Sequence, residues 1–464
     1  MSEQRKLFGT DGIRGRANDF PMTPEVALQL GRAIAHVFRR RSEPAAPLGV
    51  RGQASRPRIV IGKDTRLSNY MFETALQAGI CSMGVDAVQL GVLPTPGIAF
   101  LTAGMRAEAG VVISASHNAY DDNGIKFFAA DGYKLPDELE RQIEALLENG
   151  HVSDHRAHGA DIGRAYRIQD AVGRYAVFLK STFPRHLALD GLRVVIDCAN
   201  GAAYKVAPEV LYELGAEVVP LGTTPDGTNI NDGAGALHPE VMARRVRETR
   251  ADLGIALDGD ADRVIMCDAE GTILDGDVLL LLLARRMKAQ GRLTHDTVVA
   301  TVMSNLGLER ALRALGIKME RVQVGDRYVV ERMREGGFVL GGEQSGHIVM
   351  TDFASTGDGL MAALQVLAEV VETRRPLADL ARGLEPVPQV LEGIKVTSKP
   401  PIETLDSVMA AIADATRAVG DGRVLVRYSG TEKKCRVMLE GDDAATLQHH
   451  AAAIGDAIRK EIGA

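Results

Sequence analysis

Three stretches of the chain repeat one pattern. PRIVIGKD leads through an amphipathic segment to VQLG and then to AEAGVVISASHNAYDDNGIKFF. LRVVIDCANG leads through EVLYELGAEVVPLG to ADLGIALDGDADRVIMCD, and DTVVATVMSN through LERALRALGIKMERVQVG to GGFVLGGEQSGHIVM. Each copy reads as an apolar strand, a helix ending in Leu-Gly or Met-Gly, a second strand, and a third strand opening into a polar loop. Strands of this kind alternating with helices predict tandem α/β domains. The loops SASHN, DGDADR and GEQSG are unlike, and bringing them together predicts a site assembled between domains.

A length of 464 residues suits about three domains with one or two more. Breaks in the pattern near residues 165, 268 and 385 divide the chain into 1–165, 166–268, 269–385 and 386–464. The last part reads as a smaller α+β unit: VLEGIKVT, a helix over 402–419, GRVLVRYSG, CRVMLEGD and a closing helix. Arg39 to Arg58 interrupts the first domain with proline, glycine and six arginines, and reads as a solvated surface loop.

A net charge of −7 with 4% aromatic residues and no tryptophan argues against a nucleic-acid partner, which calls for clustered cations and stacking rings. The longest apolar run, Val278 to Ala284, is far short of a membrane span. Cys81, Cys198, Cys267 and Cys435 follow no metal or redox spacing, so they are expected to be reduced in a cytoplasmic protein.

In LGIALDGDADR an apolar strand ends in Asp258, Asp260 and Asp262. Carboxylates ~5 Å apart repel by roughly 3 kcal/mol per pair at an effective dielectric of 20, and a cation removes that cost. A straight strand spaces alternate residues ~6.6 Å apart, so the chain must curl to share one ion. Gly259 and Ala261 permit the curl. An all-oxygen set favours Mg²⁺. An EF-hand fails, because Arg263 and Ala269 stand where Gly and Glu are needed. Two readings compete: a solvated acidic turn, and an aspartyl-phosphate enzyme with Asp258 as nucleophile.

The turn after the first repeat carries Ser114, Ser116, His117 and Asn118. No G-x-S-x-G elbow surrounds it, and a serine carrying a phosphoryl group beside a Mg²⁺ site is the economical reading. Lys126 neutralises charge or moves a proton, or is a surface lysine. Arg427, Ser429, Gly430, Thr431 and Arg436 follow a strand and suit a phosphate, with a plain hairpin as the competing reading. Glu343 and Ser345 suit sugar hydroxyls or an amine. His347 follows on the strand, a catalytic candidate set against a structural histidine.

The order FGTDGIRG, SASHN, DGDADR, GEQSGH and RxSGTE, from Leu7 to Gly441, resembles the α-D-phosphohexomutase superfamily. GEQSGH, ISASHN with YDDNGIKFF, and VGDRYV resemble its glucosamine branch. The phosphomannomutase/phosphoglucomutase branch usually has methionine where Gln344 stands. The resemblance implies three α/β domains with mixed sheets plus a smaller α+β domain around a central cleft. It implies Ser116 as the phosphoserine and one Mg²⁺ held by Asp258, Asp260, Asp262 and the Ser116 phosphate. Arg14 and Lys126 would lie near the transferring phosphoryl, and Arg263 would close the metal loop. Glu343 and Ser345 would contact the sugar, and Arg427, Ser429, Gly430, Thr431 and Arg436 the distal phosphate.

The reaction so implied interconverts glucosamine 6-phosphate and glucosamine 1-phosphate through a 1,6-bisphosphate, feeding amino-sugar nucleotide and cell-wall synthesis. A hexose 1,6-bisphosphate activator and a homodimer are compatible with it. Ala119 and Lys433 replace the prolines usual after the SHN and GTE turns, which predicts looser loops. The alternatives are the same chemistry on glucose or mannose phosphates, an aspartyl-phosphate phosphatase, and a non-catalytic sugar-phosphate binder.

Overall fold

In the computed structural model of the chain, the three strands of the first repeat, Arg58–Lys63, Asp86–Val92 and Ala109–Ile113, pair in parallel. Asp122–Ala129 then folds back antiparallel on Ala109–Ile113, and Ile13–Arg16 adds antiparallel beyond it. Ala165–Arg167 closes the other edge of this six-stranded sheet. The structure describes residues 7–9, 11–42, 56–150, 154–429 and 433–464. Gly430 and Thr431, and residues 43–55 of the arginine-rich insertion, lie outside the described residues.

The second repeat has the same plan. Arg193–Asp197 lies parallel to both Glu217–Leu221 and Leu253–Leu257, and Val264–Asp268 returns antiparallel. In the third, Thr297–Thr301 is parallel to Leu340–Gly342, from which Ile348–Met350 turns back, with Lys318–Val322 at the edge. The central strands Ala109–Ile113, Leu253–Leu257 and Thr297–Thr301 are buried along their whole length. Continuous apolar runs of this kind suit strands covered on both faces.

One consequence places the chemistry. In every repeat the polar loop joins a buried parallel strand to the antiparallel strand after it. The flanking registers are Ile113 with Ile125, Leu257 with Val264, and Gly342 with Ile348.

The chain divides into two units, Met1–Val302 with Glu320–Arg382 and Met303–Met319 with Gly383–Ala464. The second is built on an antiparallel sheet of Gln389–Lys395, Lys434–Glu440 and Arg423–Tyr428. Helices Asp406–Val419 and Ala444–Ile462 cover it over a core that includes Val437, Leu439, Ala451 and Ile454. Helix Leu306–Ala314 of the third repeat belongs to this unit. Its Asn305 cap exchanges hydrogen bonds with Val387, and Arg310 pairs with Asp442. Among the described residues no helix is long and apolar enough to cross a membrane. All four cysteines are free.

Candidate active site

The serine turn is held from below by one arginine. Arg66 is fully buried, and its guanidinium donates to the carbonyls of Ser116 (3.0 Å), Asn118 (2.9 Å), Asp122 (3.0 Å) and Ala119 and to Asp64 Oδ2 (2.9 Å). Five donors thus meet five acceptors, which is the whole capacity of the side chain. Asn231 of the second domain donates to the same Ser116 and Asn118 carbonyls. The loop expected to be slack for want of a proline after Asn118 is therefore fixed through its carbonyls, that of Ala119 included.

Within the turn the two serines separate. The Ser114 hydroxyl donates to Asp64 Oδ2 (2.6 Å) and accepts from the Ser116 backbone N–H (2.9 Å). Ser116 sits at φ 52°, a left-handed conformation that costs a non-glycine residue of order 1–3 kcal/mol. This backbone turns its hydroxyl to Asp258 Oδ2 at 2.5 Å. The approach depends on Gly259, where a Cβ would stand 2.6 Å from the Ser116 carbonyl oxygen.

Asp258, Asp260 and Asp262 are all buried and offer carboxylate oxygens within 4.8 Å of one another. Asp258 Oδ1 accepts from the Arg263 N–H (3.1 Å), and Asp260 Oδ2 from Thr95 (2.7 Å) and Lys126 (3.1 Å). Asp260 Oδ1 and Asp262 Oδ1 are buried with no hydrogen-bond partner. Burial, then repulsion from Asp262 and Asp260, pushes the Asp258 carboxyl well above its usual range. Asp262 is raised by burial and by Asp260. Burial acts on Asp260 too, but Lys126 holds it below the usual range. Two orphaned oxygens in a dry, mutually repelling all-oxygen set fit a hard divalent cation.

Cations ring the triad. Lys126, nearly fully buried, lies 3.0 Å from Asp11 as well as against Asp260. Burial opposes its charge, yet Asp11 and Asp260 outweigh that and keep it an ammonium. Arg14 bonds to Asp11, and Arg263 lies 3.9 Å from Asp262. His117, 3.3 Å from the Ser116 hydroxyl, is driven down to about 4 by burial and by Arg263 and Arg14, so its ring is neutral at pH 7.

The third domain's loop joins the carboxylate loop through a bridge between Arg263 and His347. Glu343 Oε1 accepts from the Gly325 N–H, and Ser345 is exposed. Gln344 turns to Asp275 (3.1 Å), the cap of helix Gly276–Ala289. That bond ties the loop carrying Glu343 and Ser345 to the start of the helix. His347 is buried 3.6 Å from Asp326, and neither ring nitrogen has a hydrogen-bond partner.

In the second unit Arg427 and Arg436 stand directly opposite each other on neighbouring strands. Burial and Arg436 together push the Arg427 guanidinium down. Lys399 donates to the Ser429 carbonyl (2.6 Å). Sequence reasoning missed Asp11, Asp64, Arg66, Thr95, Asn231 and Lys399. Asp11 and Asp64 lie inside FGTDGIRG and PRIVIGKD, but Thr95 and Asn231 reach the site only through contacts 113 to 165 residues apart.

Four family models match in order along the chain. They are the phosphoglucomutase/phosphomannomutase alpha/beta/alpha domains I (residues 5–153), II (174–271) and III (275–387) and the C-terminal domain (391–457). The fold is thus that of the phosphohexomutases. Curated phosphoglucosamine mutases from Anaeromyxobacter dehalogenans and Geotalea uraniireducens are 57% and 55% identical. The first match covers 99% of this chain and 100% of the relative; the second covers 99% of each. The chain belongs to the phosphoglucosamine mutase family, and is an enzyme of its isomerase class.

Solved structures agree in fold. A phosphoglucomutase/phosphomannomutase family protein from Burkholderia thailandensis superposes with a TM-score of 0.79 at 24% identity over 97% of both chains. Aspergillus fumigatus N-acetylphosphoglucosamine mutase, solved with GlcNAc-6P and magnesium, gives 0.62 at 16% identity, covering 98% of this chain and 96% of that one.

Proposed function

We propose that this enzyme interconverts glucosamine 6-phosphate and glucosamine 1-phosphate through a phosphoserine at Ser116. The observation that carries the reading is the Ser116 hydroxyl on Asp258, inside a buried carboxylate triad ringed by cations. Asp258, Asp260 and Asp262 would hold one Mg²⁺, which supplies positive charge to the transferring phosphoryl group. Phosphoryl transfer needs positioning and charge more than covalent chemistry, and the chain's own residues supply both.

Arg66 and Asn231 fix the serine turn, and Arg14 and Arg263 add positive charge. The sugar hydroxyl attacks phosphorus, the bond to Ser116 Oγ breaks, and a 1,6-bisphosphate forms. Lys126, kept an ammonium by Asp11 and Asp260, is assigned to give a proton to the departing serine oxygen and to take up the proton released by the attacking hydroxyl, which restores its charge. Glu343 and Ser345 would orient the amino sugar, with His347 beside them. The hook of Arg427, Ser429, Gly430, Thr431 and Arg436 would hold the phosphate that does not react. The bisphosphate turns over, the 6-phosphoryl returns to Ser116, and glucosamine 1-phosphate leaves. Free thiols suit a cytoplasmic site for this step, and its product would enter amino-sugar nucleotide synthesis for the cell wall.

The deciding experiment is turnover of the phosphorylated protein with Mg²⁺ on glucosamine, glucose and mannose 6-phosphates in parallel. A strong preference for the amino sugar is expected. Equal use of glucose or mannose would keep the chemistry and discard the substrate, and label arriving on Asp258 in place of Ser116 would discard the mechanism.

A further inference from the structure

A row of charges of alternating sign runs from the carboxylate loop to the sugar loop, and the reaction above leaves its middle member without a task. Asp260 accepts from Lys126 (3.1 Å), and Lys126 lies 3.0 Å from Asp11. Lys134 donates to Asp11 and, at 2.5 Å, to Asp326. Asp326 in turn lies 3.6 Å from His347 Nε2. None of these side chains is more than 21% exposed.

The elements that carry them give the row its meaning. Lys134 lies just past strand Asp122–Ala129 of the first domain, tied back to it by a bridge to Phe128. Asp326 begins helix Asp326–Gly336 of the third domain, and the preceding residue, Gly325, donates its N–H to Glu343. One ammonium therefore ties the domain holding Ser116 to the turn that fixes Glu343. The same ammonium shares Asp11 with Lys126 and Arg14. Without it, Asp11 and Asp326 would face each other as like charges, and Asp11 would be pulled wholly toward Lys126 and Arg14.

We propose that Lys134 is a positioning residue for phosphoryl transfer: by bridging Asp11 and Asp326 it sets Lys126 against the carboxylate loop and holds the Glu343 loop in register with Ser116. This rests on the mutase reading above. Displacements of about an ångström at a transfer site cost on the order of 10²-fold in rate.

The test uses the full chain with Mg²⁺ and glucosamine 6-phosphate, comparing Lys134→Gln, Lys134→Arg and the double variant Lys134→Gln/Asp326→Asn. Lys134→Gln is expected to lower kcat on the order of 10²-fold with KM changed by less than about threefold. Lys134→Arg, whose planar fork spans two carboxylates, should recover most of the loss. The double variant removes the like-charge repulsion, so it should restore the denaturation midpoint while kcat stays low. If Lys134→Gln does not fold, the double variant alone carries the comparison. The inference is overturned if the double variant regains kcat together with stability, if either glutamine variant turns over at the wild-type rate, or if the loss lies wholly in KM. A wild-type chain inert on every sugar phosphate would overturn the mutase reading itself.

Discussion

Ser116 Oγ donates a 2.5 Å hydrogen bond to Asp258 Oδ2 across 142 residues of sequence. The bond brings a hydroxyl from the first domain onto the buried carboxylate cluster of the second, at the point where Gly259 leaves room for it. An alanine at position 116 keeps the backbone donors and acceptors of the turn, which Arg66 and Asn231 hold through main-chain carbonyls. Ser116→Ala is therefore expected to fold normally and to lose nearly all turnover and all phosphoprotein. Turnover at the wild-type rate would remove the phosphoserine from the mechanism.

Asp260 divides its two oxygens between tasks. Oδ2 takes Thr95 and Lys126, while Oδ1 is buried and has no partner. Asp260→Asn removes a negative charge from the cation site and weakens the hold on Lys126. The Mg²⁺ concentration for half-maximal activity should rise on the order of 10²-fold, as expected for loss of a charged ligand. A superimposable Mg²⁺ titration would place the ion elsewhere.

Arg66 presents a sharper stability case. Its five donors are all used, four of them on carbonyls of the serine turn and the strand after it. A lysine offers three donors from a single point, so Arg66→Lys takes a donor from at least two of the five buried acceptors, and each one left bare costs about 1–3 kcal/mol. Loss of about 3 kcal/mol of stability, together with slower phosphorylation of Ser116, is expected from denaturation and phosphoprotein assays. Unchanged values in both would show that Asn231 alone suffices to shape the turn.

The repeat pattern made much of this architecture legible, because period and punctuation are local. Continuous apolar runs such as AGVVI and LGIAL announce covered parallel strands, and the polar residues after them lie in the connecting loops. The Asp258, Asp260 and Asp262 cluster was readable for the same reason, since its repulsion is built into neighbouring residues. Arg66 and Lys134 were not readable. Each is one cation among 54 lysines and arginines, and their partners are set by domain packing that no local window contains. Gln344 stood out in the sequence as a mark of the branch, whereas its contact with Asp275 is set by domain packing.

Asp358 ties a helix start to a tyrosine. Its Oδ1 caps helix Gly359–Thr373 by accepting from the Met361 N–H (2.9 Å), and Oδ2 accepts from the Tyr175 hydroxyl (2.6 Å). Burial pushes this carboxyl up from 3.8 to about 6. Between those values the folded chain holds more protons than the unfolded one, so the stability contributed by this group is full below about pH 4 and is lost as pH rises to 6. Asparagine caps helices equally well and does not titrate. Wild-type stability measured against Asp358→Asn should therefore fall between pH 4 and 7, by up to about 3 kcal/mol. Parallel profiles would show that Asp358 does not titrate in that window.

Arg427 and Arg436 stand opposite each other across an antiparallel strand pair, which sets two guanidinium groups side by side as an anion would need them. Burial, and after it Arg436, push the Arg427 guanidinium down. Arg427→Ala should remove one half of a phosphate fork. We expect KM for glucosamine 6-phosphate to rise at least about tenfold with kcat within about threefold, the pattern of lost binding common to ground and transition states. Inorganic phosphate should raise the Tm of the wild type and not that of the variant, because only a ligand bound to the folded state shifts the midpoint. An equal fall in kcat and kcat/KM would move Arg427 to the reacting phosphate, and a phosphate-induced Tm shift that survives the substitution would take the anion site away from this strand pair.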